Sequence, residues 1–237
     1  VETGRVVGAE ALVRWKDPER GLIPPGVFIP VAEERGLIVP LGEWVLRAAA
    51  TQLRQWLEAE LPRIVVAVNV SAAQFRSPDF EGRLIEILEE SGVPPELIEL
   101  EVTESVLARD VEAAATLLGR LRARGISIAI DDFGTGYSSL GYLRKFPLQR
   151  LKIDQGFVRE IWNDPSAAAI VRTVIGMSRG LGLKVVAEGV EEKRQFSFLR
   201  FHGCDEAQGY FIKRPVPPET FRAFLEAGDF DPDAPAA

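Results

Sequence analysis

Short apolar runs alternate with longer amphipathic segments along most of the chain. Residues 64–70 are almost all Ile and Val, and 126–130 carries Ile at every second position, as in strands buried on both faces. Residues 41–57 instead repeat their apolar positions every three to four residues, which predicts an amphipathic helix. The predicted strands cover 5–15, 64–70, 97–103, 126–130, 148–153 and 184–187, followed by a short segment ending at 208–210. The predicted helices cover 24–36, 41–57, 78–90, 111–124, 137–146, 166–181, 191–201 and 218–227.

This alternation predicts an α/β fold, because strands separated by helices pair in parallel. About this many parallel strands can close into a (β/α)8 TIM-type barrel, and 237 residues is a usual length for one such domain. We expect the barrel to fill residues 1–230, with a polar, frayed tail at 231–237. The competing architecture, a doubly wound open sheet, needs a glycine-rich phosphate loop after its first strand. The RWKDP segment found there is unlike one.

Composition narrows the range of partners and compartments. The formal net charge of −7 argues against binding a DNA or RNA polymer through a basic surface. No apolar run reaches the roughly 18 residues that a membrane helix requires, so we expect no membrane contact by this domain. The single Cys204 cannot form an internal disulfide, which favours a reducing, cytoplasmic location. The sequence starts at Val1, without a leader. We therefore expect it to be a piece of a longer chain, whose upstream segments could include a membrane anchor.

Polar residues recur where the predicted strands end. They are Glu10, Asn69, Glu101, Asp131, Asp132, Lys152, Glu188 and Gln208. The C-terminal ends of the strands in a parallel barrel share one rim, so these residues should converge. Carboxylates and an amide, without a Cys or His cluster, suit Mg²⁺ or Mn²⁺ better than zinc. The acids exceed what one hydrated ion uses, so we expect two divalent cations and metal-dependent phosphoester hydrolysis.

Each of these residues also has a purely structural interpretation. The Asp131-Asp132 pair could form a turn and cap a helix, Glu10 could be a charge on an edge strand, and Lys152 could extend to solvent. Taken singly, the structural interpretation is the more common one. Their shared position at the C-terminal ends of the predicted strands favours a functional site, because unrelated polar groups would be spread over both ends of a barrel.

Seven motifs give the chain a resemblance to the EAL-domain family. They are GAEALVRW around Glu10, NVS at 69–71, LEVTE at 100–104, DDFGTGYSSL at 131–140, LKID at 151–154, AEGVE at 187–191 and QGY at 208–210. Their order and spacing resemble the family over nearly the whole chain. The resemblance implies a phosphodiesterase that hydrolyses cyclic di-GMP to linear pGpG in bacterial second-messenger signalling. It also implies a barrel variant whose first strand is antiparallel.

The resemblance further implies roles for individual residues. The expected metal ligands are Glu10, Asn69, Glu101, Asp131 and Asp132. The expected catalytic residues are Glu188, Lys152 and again Glu10, with Glu188 and Lys152 beside the attacking water. The expected substrate-binding residues are Arg14, which would grip a phosphate, and Leu12, Gln208, Asp154 and Glu191. Glu104 is expected to hold the loop at 133–139 in its metal-competent shape.

The resemblance also implies a homodimer and an upstream sensory or diguanylate-cyclase domain. Three departures bear on it. Asp17 stands where a His is often found, which affects only a turn. Ile212 stands where an aromatic residue is usual, which affects guanine stacking, and the strand usual ahead of residues 3–5 is missing, which leaves the barrel one element short. One rival function is a cyclic di-GMP receptor with little turnover, which the loss of a metal-binding acid would favour; every such acid is present. A second rival, an aldolase- or enolase-like barrel, needs a Schiff-base or phosphate-gripping loop, and neither is evident.

Overall fold

The chain folds as strands and helices that alternate around one curled sheet. A computed structural model describes residues 1–134, 140–228 and 230–232. Its strands are β1 (Gly8–Ala11), β2 (Trp15–Asp17), β3 (Gly21–Ile23), β4 (Val65–Asn69), β5 (Ile98–Thr103), β6 (Ser127–Phe133), β7 (Arg150–Ile153), β8 (Lys184–Ala187) and β9 (Glu206–Ala207). Its helices are α1 (Pro25–Glu34), α2 (Ile38–Glu58), α3 (Ala72–Phe75), α4 (Phe80–Ser91), α5 (Glu104–Ala108), α6 (Val111–Ala123), α7 (Leu140–Leu143), α8 (Gln155–Glu160), α9 (Pro165–Leu181), α10 (Lys193–Phe201) and α11 (Pro218–Ala227), with a 3₁₀ turn at Pro95–Leu97.

Seven of the strands form a parallel sheet in the order β1-β4-β5-β6-β7-β8-β9. Neighbouring strands run parallel because each connection between them contains at least one helix. The sheet curls until side chains from its two edges touch: the amide of Gln208, just after β9, donates to Glu10 on β1 at 2.5 Å. The predicted α/β barrel-type fold is therefore confirmed as a curled sheet that forms a half-barrel. The antiparallel first strand is not confirmed, since β1 pairs in parallel with β4.

The apolar core lies between the sheet and its helices. On β6, Ile128 and Ile130 are at most 1% exposed and belong to the same apolar cluster as Leu118 and Leu121 of α6. Side chains alternate between the two faces of a strand, so this outward apolar face leaves the inner face for polar residues. Within the described ranges, no helix is both long and apolar enough to cross a membrane.

Several predicted elements differ from the structure in type or in bounds. The single strand predicted at 5–15 is wrong, because β1 is followed by an antiparallel hairpin of β2 and β3. Its turn is closed by Asp17, which accepts hydrogen bonds from the backbone N–H groups of Glu19 and Arg20. The strand predicted at 126–130 continues to Phe133. Of the helix predicted at 137–146, α7 covers only Leu140–Leu143, and residues 144–146 are not helical. Residues 135–139 and the tail residues 233–237 lie outside the described residues.

Candidate active site

Four polar side chains from alternate strands of the sheet occupy one level of its inner face. They are Glu10 on β1, Glu101 on β5, Lys152 on β7 and Gln208 after β9. Lys152 Nζ lies 2.6 Å from Glu101 Oε1 and 3.8 Å from Glu10 Oε2. Gln208 donates to the same Glu10 oxygen. Levels built from alternate strands are the usual way in which inward side chains fill a parallel barrel.

Three further side chains come from the strands in between. Asn69 ends β4, Asp131 lies near the end of β6, and Glu188 follows β8. Asn69 Nδ2 donates to Glu10 Oε1 at 2.7 Å. Lys152 Nζ lies 3.3 Å from Asp131 Oδ1 and 2.6 Å from Glu188 Oε1. The Lys152 ammonium therefore contacts four carboxylates from four different strands or strand ends, while its side chain is only 2% exposed.

A β-bulge lets two consecutive carboxylates face this site. The ladder between β6 and β7 shifts between Ile130 and Phe133, where β6 contains one residue more than β7. Asp132 has a φ of +53°, in a region that Asp tolerates better than most residues. Regular alternation would direct the side chain of Asp132 to the face opposite Asp131. With the bulge, carboxylate oxygens of Asp131, Asp132 and Glu188 lie within 4.8 Å of one another.

Burial and crowding raise the pKa values of three carboxyl groups, those of Glu101, Asp132 and Glu188. Burial raises the pKa of Glu101 well above its ordinary value, although Lys152 opposes the shift. Burial also raises the pKa of Glu188 to about 7, with Lys152 opposing and Asp131 adding to the rise. Burial and then repulsion by Asp131 raise the pKa of Asp132. Burial acts to lower the pKa of Lys152, but Glu101 and the neighbouring carboxylates outweigh it and raise that pKa well above its ordinary value. The site thus holds more acid groups than one ammonium can neutralise.

This excess of carboxylates fits the binding of divalent cations. Glu101 Oε2 is buried and has no hydrogen-bond partner among the described residues. A buried carboxylate oxygen left in this way costs free energy until a further group satisfies it. The close oxygens of Asp131, Asp132 and Glu188 have the spacing of a metal site. Oxygen donors of this kind suit hard cations.

Comparison with known proteins decides the family. The protein-family model described as the EAL domain matches residues 1–215. This chain belongs to the EAL domain family. Its relatives include the bifunctional diguanylate cyclase/cyclic di-GMP phosphodiesterase MucR of Pseudomonas aeruginosa, 46% identical over 220 residues, which are 93% of this chain and 32% of that protein. The cyclic di-GMP phosphodiesterase NbdA of the same organism is 44% identical over 232 residues, which are 98% of this chain and 30% of NbdA.

Solved structures agree with this assignment. The PaMucR phosphodiesterase in its c-di-GMP complex superposes on this EAL domain with a TM-score of 0.89 and 46% identity, over 91% of this chain and 87% of that one. The chain spans about a third of the length of the two curated relatives. The relatives therefore contain further segments beyond an EAL domain of this length.

Two other predicted site residues of this EAL domain lie beside the acidic cluster. Glu104, at the start of α5, accepts a hydrogen bond from the backbone N–H of Gly134 at 3.1 Å. This contact is at the base of the loop that Glu104 was expected to hold, of which residues 135–139 lie outside the described residues. Asp154 accepts from Gly156 N at 2.9 Å at the start of α8, and its charge adds to the rise in the pKa of Asp132.

Three predicted substrate-binding residues make no hydrogen bond or ion pair with the cluster in the described part of the chain. Glu191 pairs instead with Arg159 at 2.9 Å. Arg14 is exposed and donates to the carbonyl of Val13 at 2.9 Å, and Leu12 is 41% exposed. Both follow β1, at the same rim as Glu10. Their binding roles remain predictions.

A second polar group, whose burial was not predicted from the sequence, lies on the same inner face. Arg150 Nη1 lies 2.6 Å from Glu99 Oε2, and its Nε and Nη2 donate to both carboxylate oxygens of Glu206 at 3.1 and 3.3 Å. Each member stands two residues before a member of the active-site level on the same strand or its extension. That spacing is the sequence signal that could have identified the group, because residues two apart on a strand share a face.

Proposed function

We propose that this EAL domain hydrolyses cyclic di-GMP to linear pGpG with two divalent cations, Mg²⁺ or Mn²⁺, in bacterial second-messenger signalling. The observation that carries the proposal is the convergence of carboxylates from separate strands around Lys152, with a buried Glu101 oxygen that has no partner among the described residues. The names of the relatives support the substrate. Both curated relatives are called cyclic di-GMP phosphodiesterases, and the similar solved structure is a c-di-GMP complex.

The donor set divides naturally between two ions. Glu10, Asn69, Glu101 and Asp131 would hold one cation, and Asp131 with Asp132 would hold the other. The bulge supports this division, because it brings both Asp carboxylates to the same face. When bound, two cations in such a site activate water and neutralise charge that develops on the scissile phosphate.

Glu188 and Lys152 would control the attacking water. Glu188 suits the role of general base, because its carboxylate lies beside those of Asp131 and Asp132 and contacts Lys152 at 2.6 Å. Lys152 stays an ammonium, because its pKa is raised, and so can only donate hydrogen bonds. It would therefore orient the water. Attack in line at phosphorus breaks the P–O3′ bond, the 3′ oxygen takes up a proton, and the ring opens to linear pGpG with a 5′-phosphate.

The substrate would be held at the rim around this centre. Arg14 offers a guanidinium that can donate two parallel hydrogen bonds to a phosphate. Leu12, Gln208, Asp154 and Glu191 complete the proposed binding set. Gln208 is supported by its contact with Glu10, while Leu12 and Arg14 are supported by their exposure after β1.

The proposal extends to the context of the domain. Residues 1–230 would form the phosphodiesterase unit, acting in the cytoplasm as a homodimer behind a sensory or diguanylate-cyclase domain. The bifunctional name of MucR, and the third of its length that this chain matches, support an additional domain. The free, buried Cys204 is compatible with a reducing compartment.

The test is hydrolysis by the purified chain. Cyclic di-GMP is incubated with the protein and Mg²⁺ or Mn²⁺, or with EDTA, and pGpG is quantified by chromatography. We expect cation-dependent pGpG formation, and a loss of at least 100-fold in kcat for Glu10→Ala. Glu58→Ala is the matched control, because Glu58 is exposed on α2 and pairs with Arg54. It should retain wild-type kcat.

Two results would contradict the proposal in different ways. Intact cyclic di-GMP in every tube, with tight binding by calorimetry, would favour a cyclic di-GMP receptor. Neither binding nor turnover would refute both functions.

A further inference from the structure

The polar group formed by Arg150, Glu99 and Glu206 is buried, and each of its charged side chains has an ion-pair partner. The side chains of Arg150, Glu99 and Glu206 are 11%, 6% and 16% exposed. The guanidinium uses one edge for Glu99 and another for both oxygens of Glu206. Burial raises the pKa of Glu99, with Arg150 opposing. Lys184, whose side chain is 61% exposed, makes a weaker contact with Glu206 at 3.5 Å. A buried network of this kind adds little net stability compared with neutral side chains of similar volume, so stability alone does not explain it.

Arg150 joins strands that are not neighbours. It lies on β7, while Glu99 lies on β5 beyond β6, and Glu206 lies on β9 beyond β8. These contacts cross the interior of the curled sheet instead of following the backbone ladder. The contact with Glu206 contributes most to holding its strand in place, because β9 is a two-residue edge strand paired with β8 alone in the described sheet.

The three residues match the active-site level in register. Two residues beyond them stand Glu101 on β5, Lys152 on β7 and Gln208 after β9. The backbone N–H of Gln208 donates to the carbonyl of Ala187 on β8 at 2.8 Å, so the ladder continues to Gln208. Two residues correspond to about 7 Å along a strand. A displacement of any one strand at the level of Arg150 is therefore transmitted to one active-site side chain.

We propose that Arg150 is a positioning residue that fixes the relative heights of Glu101, Lys152 and Gln208 by holding Glu99 and Glu206 one level away. This inference rests on the proposed phosphodiesterase function. Arg150 touches no reacting atom, and its effect passes through the strands. A misplacement of about 1 Å in an active site can cost roughly 100-fold in rate, so the effect on turnover should be much larger than the effect on stability.

The test replaces all three charged side chains of the network with neutral ones. In the triple variant Arg150→Met, Glu99→Gln, Glu206→Gln, no buried charge is left unpaired. The matched control is Arg222→Met with Glu226→Gln, an exposed ion pair on α11. For each protein, the Tm is measured in EDTA, and kcat and KM are measured with cyclic di-GMP. We expect the triple variant to melt within about 5 °C of wild type, lose at least 30-fold in kcat and change KM less than threefold. The control should match wild type in kcat.

Wild-type kcat in the folded triple variant would overturn the proposal, because the network would then be structural only. Arg150→Lys is the second variant, since one ammonium cannot reproduce a fork between two carboxylates. If the triple variant fails to fold, a folded Arg150→Lys protein decides: at least a fivefold loss in kcat supports positioning, and wild-type kcat overturns it.

Failure of the proposed function would be visible separately, as a wild type without turnover. The decisive readout is then the dissociation constant of Mn²⁺ by calorimetry. Binding at least fivefold weaker in the triple variant supports positioning, and unchanged binding overturns it.

Discussion

In the absence of divalent cations, protonation of Glu188 should stabilise this EAL domain. Burial raises the pKa of Glu188 from an ordinary value of 4.5 to about 7. Between these two values the native state keeps a proton that the unfolded chain has lost. The stabilisation is therefore fully present below about pH 4.5 and is lost as the pH rises through about 7.

The magnitude follows from the two pKa values. Each pKa unit corresponds to about 1.4 kcal/mol, so the whole shift is worth about 3 kcal/mol. Between pH 8 and pH 6, a single group of this kind contributes about 1.3 kcal/mol to the free energy of unfolding. For a domain of this size, that corresponds to a Tm difference of about 3–5 °C.

The assay is calorimetric melting in EDTA at pH 8 and pH 6, with wild type and Glu188→Gln. Glu101 and Asp132, whose pKa values are also raised, shift both proteins in the same direction. The difference between the two proteins therefore reports the contribution of Glu188 together with its coupling to Lys152 and Asp131. We expect wild type to gain about 3–5 °C more than Glu188→Gln on acidification. Saturating Mg²⁺ should remove this gain, because cations and protons compete for the same oxygens. Equal pH responses of the two proteins in EDTA would show that Glu188 does not hold a proton at pH 6 in the native state.

Two further substitutions test the site. Lys152→Met removes the ammonium that contacts four carboxylates, so the free energy of unfolding in EDTA should fall by about 3–5 kcal/mol in urea titrations, with partial recovery in Mg²⁺. A wild-type value would show that the carboxylates are neutral without it. Gly134→Ala should lower the free energy of unfolding by about 1–3 kcal/mol and kcat at least tenfold. The reason is that Gly134 has a φ of +100° and a Cβ there would lie 2.8 Å from Phe157 Cε2. Gly82→Ala in α4 is the control: a Cβ there meets nothing within 4 Å, so its free energy of unfolding should rise by up to about 1 kcal/mol. Equal melting curves for the two variants would contradict this account.

Elements set by local pattern were predicted well from the sequence. The strand predicted at 184–187 and the helix predicted at 218–227 have those bounds in the structure. The strand-end residues also converge as expected, because parallel strands place their C-terminal ends together. Each of these inferences needed only the periodicity of one segment and the direction of its neighbours.

Features that depend on distant segments were missed. The bulge at Asp131 and Asp132 is a property of the register between β6 and β7, and strand periodicity carries no information on it. Arg150, at the start of a strand, is typical of an exposed charge by its position alone. Its burial is set by Glu99 and Glu206, which are 51 and 56 residues away in the chain.

The meeting of the two sheet edges has a mechanical consequence. Backbone ladders run around the sheet from β1 to β9, whereas Gln208 and Glu10 join those two strands through side chains. This seam, a side-chain contact, is weaker than a backbone ladder, so it is where the curled sheet can open transiently. A cation held by Glu10 and Glu101 would tie β1 to β5 and so immobilise the Glu10 side of the seam. Binding of the cation would then slow hydrogen exchange in β1, and in β9 through the contact between Glu10 and Gln208.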